Sequence, residues 1–332
     1  MQVITAIVTI VILALVFDFI NGFHDTANAI ATSVSTKALT PRFAVFYAAV
    51  LNFVGAITFE GVAKSIGGSI ADPAKIENGI PVVIAALIAM IFWNLLTWYF
   101  GIPSSSSHTL IGSLAGAVLA SGTDLKWSGF NKIILVLIAS PFIAFIIGFI
   151  VLNIVRLIVR LVGNRSPGKV NRTFRIMQIF TAGWQAFSHG TNDAQKAMGI
   201  IVFALVAGGF QDTLHVPLWV KLGAATAMGL GTSVGGWKII KTVGRKIVKV
   251  EPMNGFASDV TASSVLSTAS ALGFPLSTTH VITSAIIGTG VAMRPKSINW
   301  GVVGTMVATW VITIPISMVI AYLIFQVVFL FF

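Results

Sequence analysis

The chain has 332 residues, 56% of them hydrophobic and only 9% charged, with a mean hydropathy of +0.94. Soluble domains carry about 25% charged residues, so the composition excludes an ordinary soluble domain and indicates a polytopic membrane protein. The lack of cysteine excludes disulfides, thiolate metal sites and cysteine nucleophiles, and the net charge of +11 is placed for topology, not for nucleic acid.

The apolar start, 1–19, has neither a basic n-region nor a small-residue cleavage site and reads as a first span. Continued past a polar insert to Thr36, it would form a helix of roughly 54 Å, too long for a hydrocarbon core of ~30 Å. A break near Asn21-Gly22 is therefore expected, and another near His189-Gly190. Further apolar segments fall at about 43–63, 80–100, 109–121, 133–155, 176–188, 197–210, 217–237, 259–273, 281–293 and 300–332. Six of the 21 basic residues lie between 156 and 175 and five between 238 and 249, clusters that stay in the cytoplasm. Five crossings per half follow if the Pro103 and Pro275 segments each cross, and an odd number inverts the second half relative to the first. Those two segments can instead be re-entrant hairpins, so 10–12 segments are expected. The fold is read as an all-α polytopic membrane protein with an inverted-topology repeat and broken helices: a first repeat over 1–160, a basic cytoplasmic linker over 161–175 and a second repeat over 176–332. It places the protein in the cell membrane, multi-pass, with both termini outside.

Two motifs are written twice. Gly22-Phe23-His24-Asp25-Thr26-Ala27-Asn28-Ala29 recurs 168 residues later as Gly190-Thr191-Asn192-Asp193-Ala194-Gln195-Lys196-Ala197. Pro103-Ser104-Ser105-Ser106-Ser107-His108 recurs 172 residues later as Pro275-Leu276-Ser277-Thr278-Thr279-His280. Repeated polar, helix-breaking segments point to a transporter's binding site. A carboxylate at the bilayer centre costs ~2.5 kcal/mol or more, so Asp25 and Asp193 need a reason to be there. With Asn28, Asn192, hydroxyls and backbone carbonyls they offer hard oxygens to a small monovalent cation; the plainer alternative is a structural ion pair. The Pro-led hydroxyl runs, Ser105-Ser106-Ser107 and Ser277-Thr278-Thr279, open helices whose N-terminal dipoles receive anions, although one Ser each would suffice as an N-cap. Lys196 replaces Asn28 in the second copy and is expected to face an Asp or hold the anion, with Gln195 as a further donor; snorkelling to an interface is the alternative. Four of the five histidines, His24, His108, His189 and His280, flank the motifs and either brace helix breaks or relay protons. Asp18, Glu60 and Asp259 are further acids near spans; Asp259 can cap a helix and Glu60 can join a cation pathway or lie at the outer surface.

At these four motifs the chain resembles the inorganic phosphate transporter (PiT) family over nearly its whole length. The usual Gly-Ala-Asn-Asp of that family is Gly22-Phe23-His24-Asp25 here. The resemblance implies phosphate symport with Na⁺ or H⁺, with Asp25, Asn28 and Asp193 serving ion coupling and substrate binding and the Ser/Thr runs close to phosphate.

The function expected is import of inorganic phosphate by cation symport through alternating access. Na⁺ is preferred to H⁺ because the ligands are hard oxygens, with Na⁺ at Asp25, Asn28 and Asp193. Phosphate, the coupling cation and the lipid bilayer are the expected partners, a homodimer is compatible, and no cofactor or nucleic acid is expected. A sulfate permease of the same architecture is the alternative, but sulfate lacks the O–H that a carboxylate accepts from phosphate. A passive anion channel would not need intramembrane acids. An intramembrane hydrolase is disfavoured, because Ser107 and His108 are adjacent on a helix and do not face each other.

Overall fold

The structure is a computed structural model that describes residues 3–72, 76, 78–163, 166–235, 240 and 242–332, without the side chains of 26–28 and 245. It is helical, with no strand among the described residues. The helices are α1 (Val3–Ser35), α2 (Pro41–Thr58), α3 (Gly61–Ser69), α4 (Gly79–Phe100), α5 (Ser106–Ala120), α6 (Trp127–Leu161), α7 (Pro167–Ala207), α8 (Leu218–Val234), α9 (Pro252–Ala271), α10 (Thr278–Met293) and α11 (Trp300–Phe329). Five of them, α1, α2, α4, α6 and α11, are long and apolar enough to cross a membrane. Large apolar side chains such as Phe46, Leu135, Phe142, Phe180 and Val311 lie exposed on the outer surface, as a lipid-facing belt requires. α7 is absent from the five because its middle holds Asn192, Asp193, Gln195 and Lys196, all buried.

The breaks expected at Asn21-Gly22 and His189-Gly190 are absent: α1 runs unbroken through 33 residues and α7 through 41. Helices of about 50 and 62 Å exceed the hydrocarbon core. α7 absorbs part of the excess by projecting, since residues 167–173 are mostly exposed and carry Lys169 and Arg172. Much of the expected 161–175 linker is thus the first turns of α7. The motif glycines serve close approach instead of a break. A Cβ on Gly22 would press on the backbone of Met228 and Thr232 in α8, and one on Gly190 would clash with the Asn52 carbonyl in α2. Across each seam a partner glycine makes the same demand, Gly231 against Phe19 and Gly55 against Phe187. Gly55→Val is accordingly expected to destabilise the protein by about 1–3 kcal/mol or more through overpacking, read as a lower thermal midpoint in detergent.

The breaks lie at the hydroxyl runs. Gly101, at φ 66°, ends α4 in the left-handed region that L side chains resist, and Gly273, at φ 72°, does so after α9. α5 and α10 then start at Ser106 and Thr278. At 15 and 16 residues they reach about 22–24 Å, short of the core, and each packs beside the helix before it. The Pro103 and Pro275 segments are therefore the tips of two helical hairpins, α4–α5 and α9–α10. Helix packing is reciprocal between the halves: α1 on α8 and α7 on α2, α4 on α1 and α9 on α7, α5 on α11 and α10 on α6.

Candidate functional site

The two hairpin tips meet between the middles of α1 and α7. Ser107 Oγ donates to the Leu276 carbonyl at 2.6 Å, tying one tip to the other. Around this contact the repeated motifs form one buried network. Asp25 Oδ2 accepts from Ser106 Oγ at 2.9 Å, and its Oδ1 accepts from Thr279 Oγ1 at 3.3 Å. Asp193 Oδ2 accepts from Thr278 Oγ1 and Asn21 Nδ2, both at 3.3 Å. Lys196 Nζ lies 2.8 Å from Asp193 Oδ1 and donates to Ser106 Oγ at 2.8 Å. Ser106 thus links Lys196 of one half to Asp25 of the other. Each of these side chains is 2% exposed or less.

The histidines sit against the acids. His24 Nδ1 is 2.9 Å from Asp25 Oδ1, and its Nε2 is 3.3 Å from Thr97 Oγ1. With Nδ1 protonated, the ring donates to the carboxylate and accepts from the hydroxyl. Thr97 also bonds Ser104 Oγ at 2.8 Å. His189 Nε2 lies 3.4 Å from Asp193 Oδ2, and its Nδ1 is 3.0 Å from Asn52 Oδ1. One donor atom each from Asp25, His189 and Asp193 falls within 4.8 Å of the others, a spacing that suits a single cation between the two acids. His108 and His280 lie against each other behind the tips, with ring centroids 4.4 Å apart and planes tilted by 43°.

The structure sorts the expected residues. Asp25, Asp193, Lys196, Ser106, Thr278 and Thr279 share the network. Ser105 and Ser277 act as N-caps, accepting from the amides of His108 and His280. Gln195 turns to α3, where its Oε1 accepts from Ala63 N, while its Nε2 donates to Thr191 O. Asn192 turns to α9 and the loop after it, donating to Ser270 Oγ and Phe274 O at 3.4 Å. The Asn28 side chain lies outside the described residues. Glu60 pairs with Lys64 and Lys221 at a partly exposed position away from this network. Asp259, expected as a cap, accepts instead from Thr32, Gln178 and Thr181. Sequence reasoning missed Asn21, Asn52 and Thr97; the signal was a polar side chain inside each apolar helix, with Asn21 one turn before Asp25.

A sequence model described as "Phosphate transporter family" matches residues 21–166 and 160–321. A Bacillus subtilis (strain 168) protein named "Probable low-affinity inorganic phosphate transporter" is 56% identical over 97% of this chain and 98% of its own length. A Rhizobium meliloti (strain 1021) protein with the same name is 44% identical over 96% of this chain and 95% of its own. A solved structure named "The sodium-dependent phosphate transporter" superposes with a TM-score of 0.88, at 24% identity, over 99% of this chain and 100% of that one. At that identity the superposition establishes a shared fold.

Proposed function

This chain belongs to the phosphate transporter family, and we propose that it imports inorganic phosphate by cation symport, with Na⁺ favoured over H⁺ as the coupling ion. It is a multi-pass membrane transporter and not an enzyme. The observation that carries the reading is the meeting of two acids, one ammonium and two helix N-termini in one buried hydrogen-bonded network. A cation between Asp25 and Asp193 neutralises charge that would otherwise oppose anion entry. Once it binds, the hydroxyls of Ser106, Thr278 and Thr279, now donated to the acids, are free to turn to phosphate at the helix N-termini, with Lys196 as counter-charge. Phosphate affinity that depends on the bound cation is the coupling. The reciprocal packing of the halves supports two inverted repeats, over 1–160 and 176–332, that rock around the occupied site. Hard oxygen donors favour Na⁺, and the solved relative is named for its dependence on sodium.

The test is radiolabelled phosphate uptake into proteoliposomes with Na⁺ and pH gradients imposed separately, and with sulfate as competitor. Uptake driven by Na⁺ and resistant to sulfate is the expected result; uptake driven only by a pH gradient rejects Na⁺ coupling. Ser106→Ala combined with Thr278→Ala is expected to raise the phosphate half-saturation concentration about tenfold or more, since hydrogen bonds to charged groups contribute about 1.5–3 kcal/mol each. The Na⁺ half-saturation should move less. An unchanged phosphate dependence would remove these hydroxyls from the site.

A further inference from the structure

α6 and α7 follow each other in the chain, yet they do not pack along each other. α6 lies mainly on α10 and α9, and α7 mainly on α9 and α2. Between the last turns of α6 and the first turns of α7 a wedge of about 310 Å³ is left open. Val155, Val159 and Val162 line it from one side and Val170, Phe174 and Met177 from the other. Phe256 of α9 completes the lining, its ring centroid 5.4 Å from that of Phe174. Thr173 is the one hydroxyl in the wedge, and its Oγ1 is already donated to the Lys169 carbonyl. The walls therefore offer a ligand apolar contact and nothing else.

The borders are the reverse. Arg160, Lys169, Arg172 and Arg175 each stand next in sequence to a lining residue, and all four are exposed. None has an ion-pair partner among the described residues. Arg156, also on the border, is tied to the Ala292 carbonyl at the end of α10. The sequence has no acid from 125 to 192, so nothing on this stretch of α6 and α7 offsets the charge. Exposed Ile154, Leu157, Leu161 and Ile176 surround the wedge and continue the lipid-facing belt up to the basic residues, which mark the cytoplasmic membrane surface.

Water does not fill an apolar cavity, and a free anion would leave the apolar walls unused. A molecule that is anionic at the membrane surface and apolar below it satisfies both parts at once. We propose that the wedge binds an anionic phospholipid, with an acyl chain between α6 and α7 and the headgroup phosphate among Arg160, Lys169 and Arg172. The wedge lies where the first half of the chain passes into the second, so the bound lipid touches both halves.

The experiment is native mass spectrometry of the purified full chain in detergent, titrated with phosphatidylglycerol or with phosphatidylcholine of the same acyl chains. Wild type should retain one phosphatidylglycerol at a concentration severalfold below that needed for phosphatidylcholine. The triple variant Arg160→Gln, Lys169→Gln, Arg172→Gln should lose that preference. Val162→Trp, which fills the wedge from an exposed position, should weaken retention of both lipids severalfold; if it is not monodisperse by size exclusion, the triple variant carries the test. Equal retention of the two lipids by wild type overturns the proposal, as does a preference that survives the triple substitution. Displacement of phosphatidylglycerol by millimolar inorganic phosphate also overturns it, because the basic border would then be a site for free anions.

Discussion

Asp25→Asn is expected to cut cation-driven phosphate uptake at least about a hundredfold while leaving the protein folded. The substitution keeps the shape of the side chain and removes its charge. In the wild type the Asp25 carboxylate receives the hydroxyls of Ser106 and Thr279 and faces His24 Nδ1. Asparagine presents an NH₂ to at least one of these donors, so a donor meets a donor among fully buried side chains. A cation between positions 25 and 193 also loses half of its counter-charge. Removing one partner of a buried charge pair costs about 3–5 kcal/mol, which is two to nearly four decades of affinity. Uptake at ordinary Na⁺ concentrations should then fall to the level seen without a gradient. α1 is one unbroken helix packed on α2, α4, α7 and α8, so a monodisperse size-exclusion peak should persist. Wild-type uptake by folded Asp25→Asn would remove Asp25 from ion coupling.

Much of this chamber is legible in the sequence because membrane interiors penalise polar side chains, so any that remain stand out. The offsets of 168 and 172 between motif copies pair Asp25 with Asp193 and Ser106 with Thr278, and the structure shows each acid bonded to the hydroxyl of its own half. The same reasoning misplaces the helix breaks. Low helix propensity makes Gly22 and Gly190 look like breaks, but in lipid the strongest use of a glycine is to let two helices touch, as the seams with α8 and α2 show. Length is the second misleading signal. A helix too long for the core is expected to break, whereas α7 carries its excess outside as an exposed basic end. Partners contributed by other helices have no local signature. Asn52 of α2 reaches His189 across 137 positions, and no periodicity in either segment announces that pairing. Side-chain direction is likewise invisible: Asn192, Gln195 and Lys196 fall within five residues, yet they turn to α9, α3 and the chamber respectively.

Lys196 is the one place where the two motif copies differ in formal charge, since position 28 is Asn, and under the proposed function this charge should act oppositely on cation and phosphate. Its ammonium is fully buried and divided between Asp193 Oδ1 and Ser106 Oγ. Lys196→Asn makes the copies alike in charge and should separate the two affinities. Without the ammonium, Asp193 is an uncompensated buried carboxylate, and a cation bound beside it gains attraction, so the Na⁺ half-saturation should fall. Phosphate loses a charge-assisted donor of the kind that contributes about 1.5–3 kcal/mol, so its half-saturation should rise by about one to two decades. A purely structural Lys196 would give a different pattern, with thermal stability falling and both half-saturations unchanged in the protein that remains folded. Lys196→Arg keeps the charge but replaces a compact ammonium by a planar fork, and should restore much of the phosphate affinity if charge is what matters. Opposite shifts of the Na⁺ and phosphate dependences in Lys196→Asn, measured on the same proteoliposomes, are the expected result; shifts in the same direction would show that Lys196 does not discriminate between cation and anion.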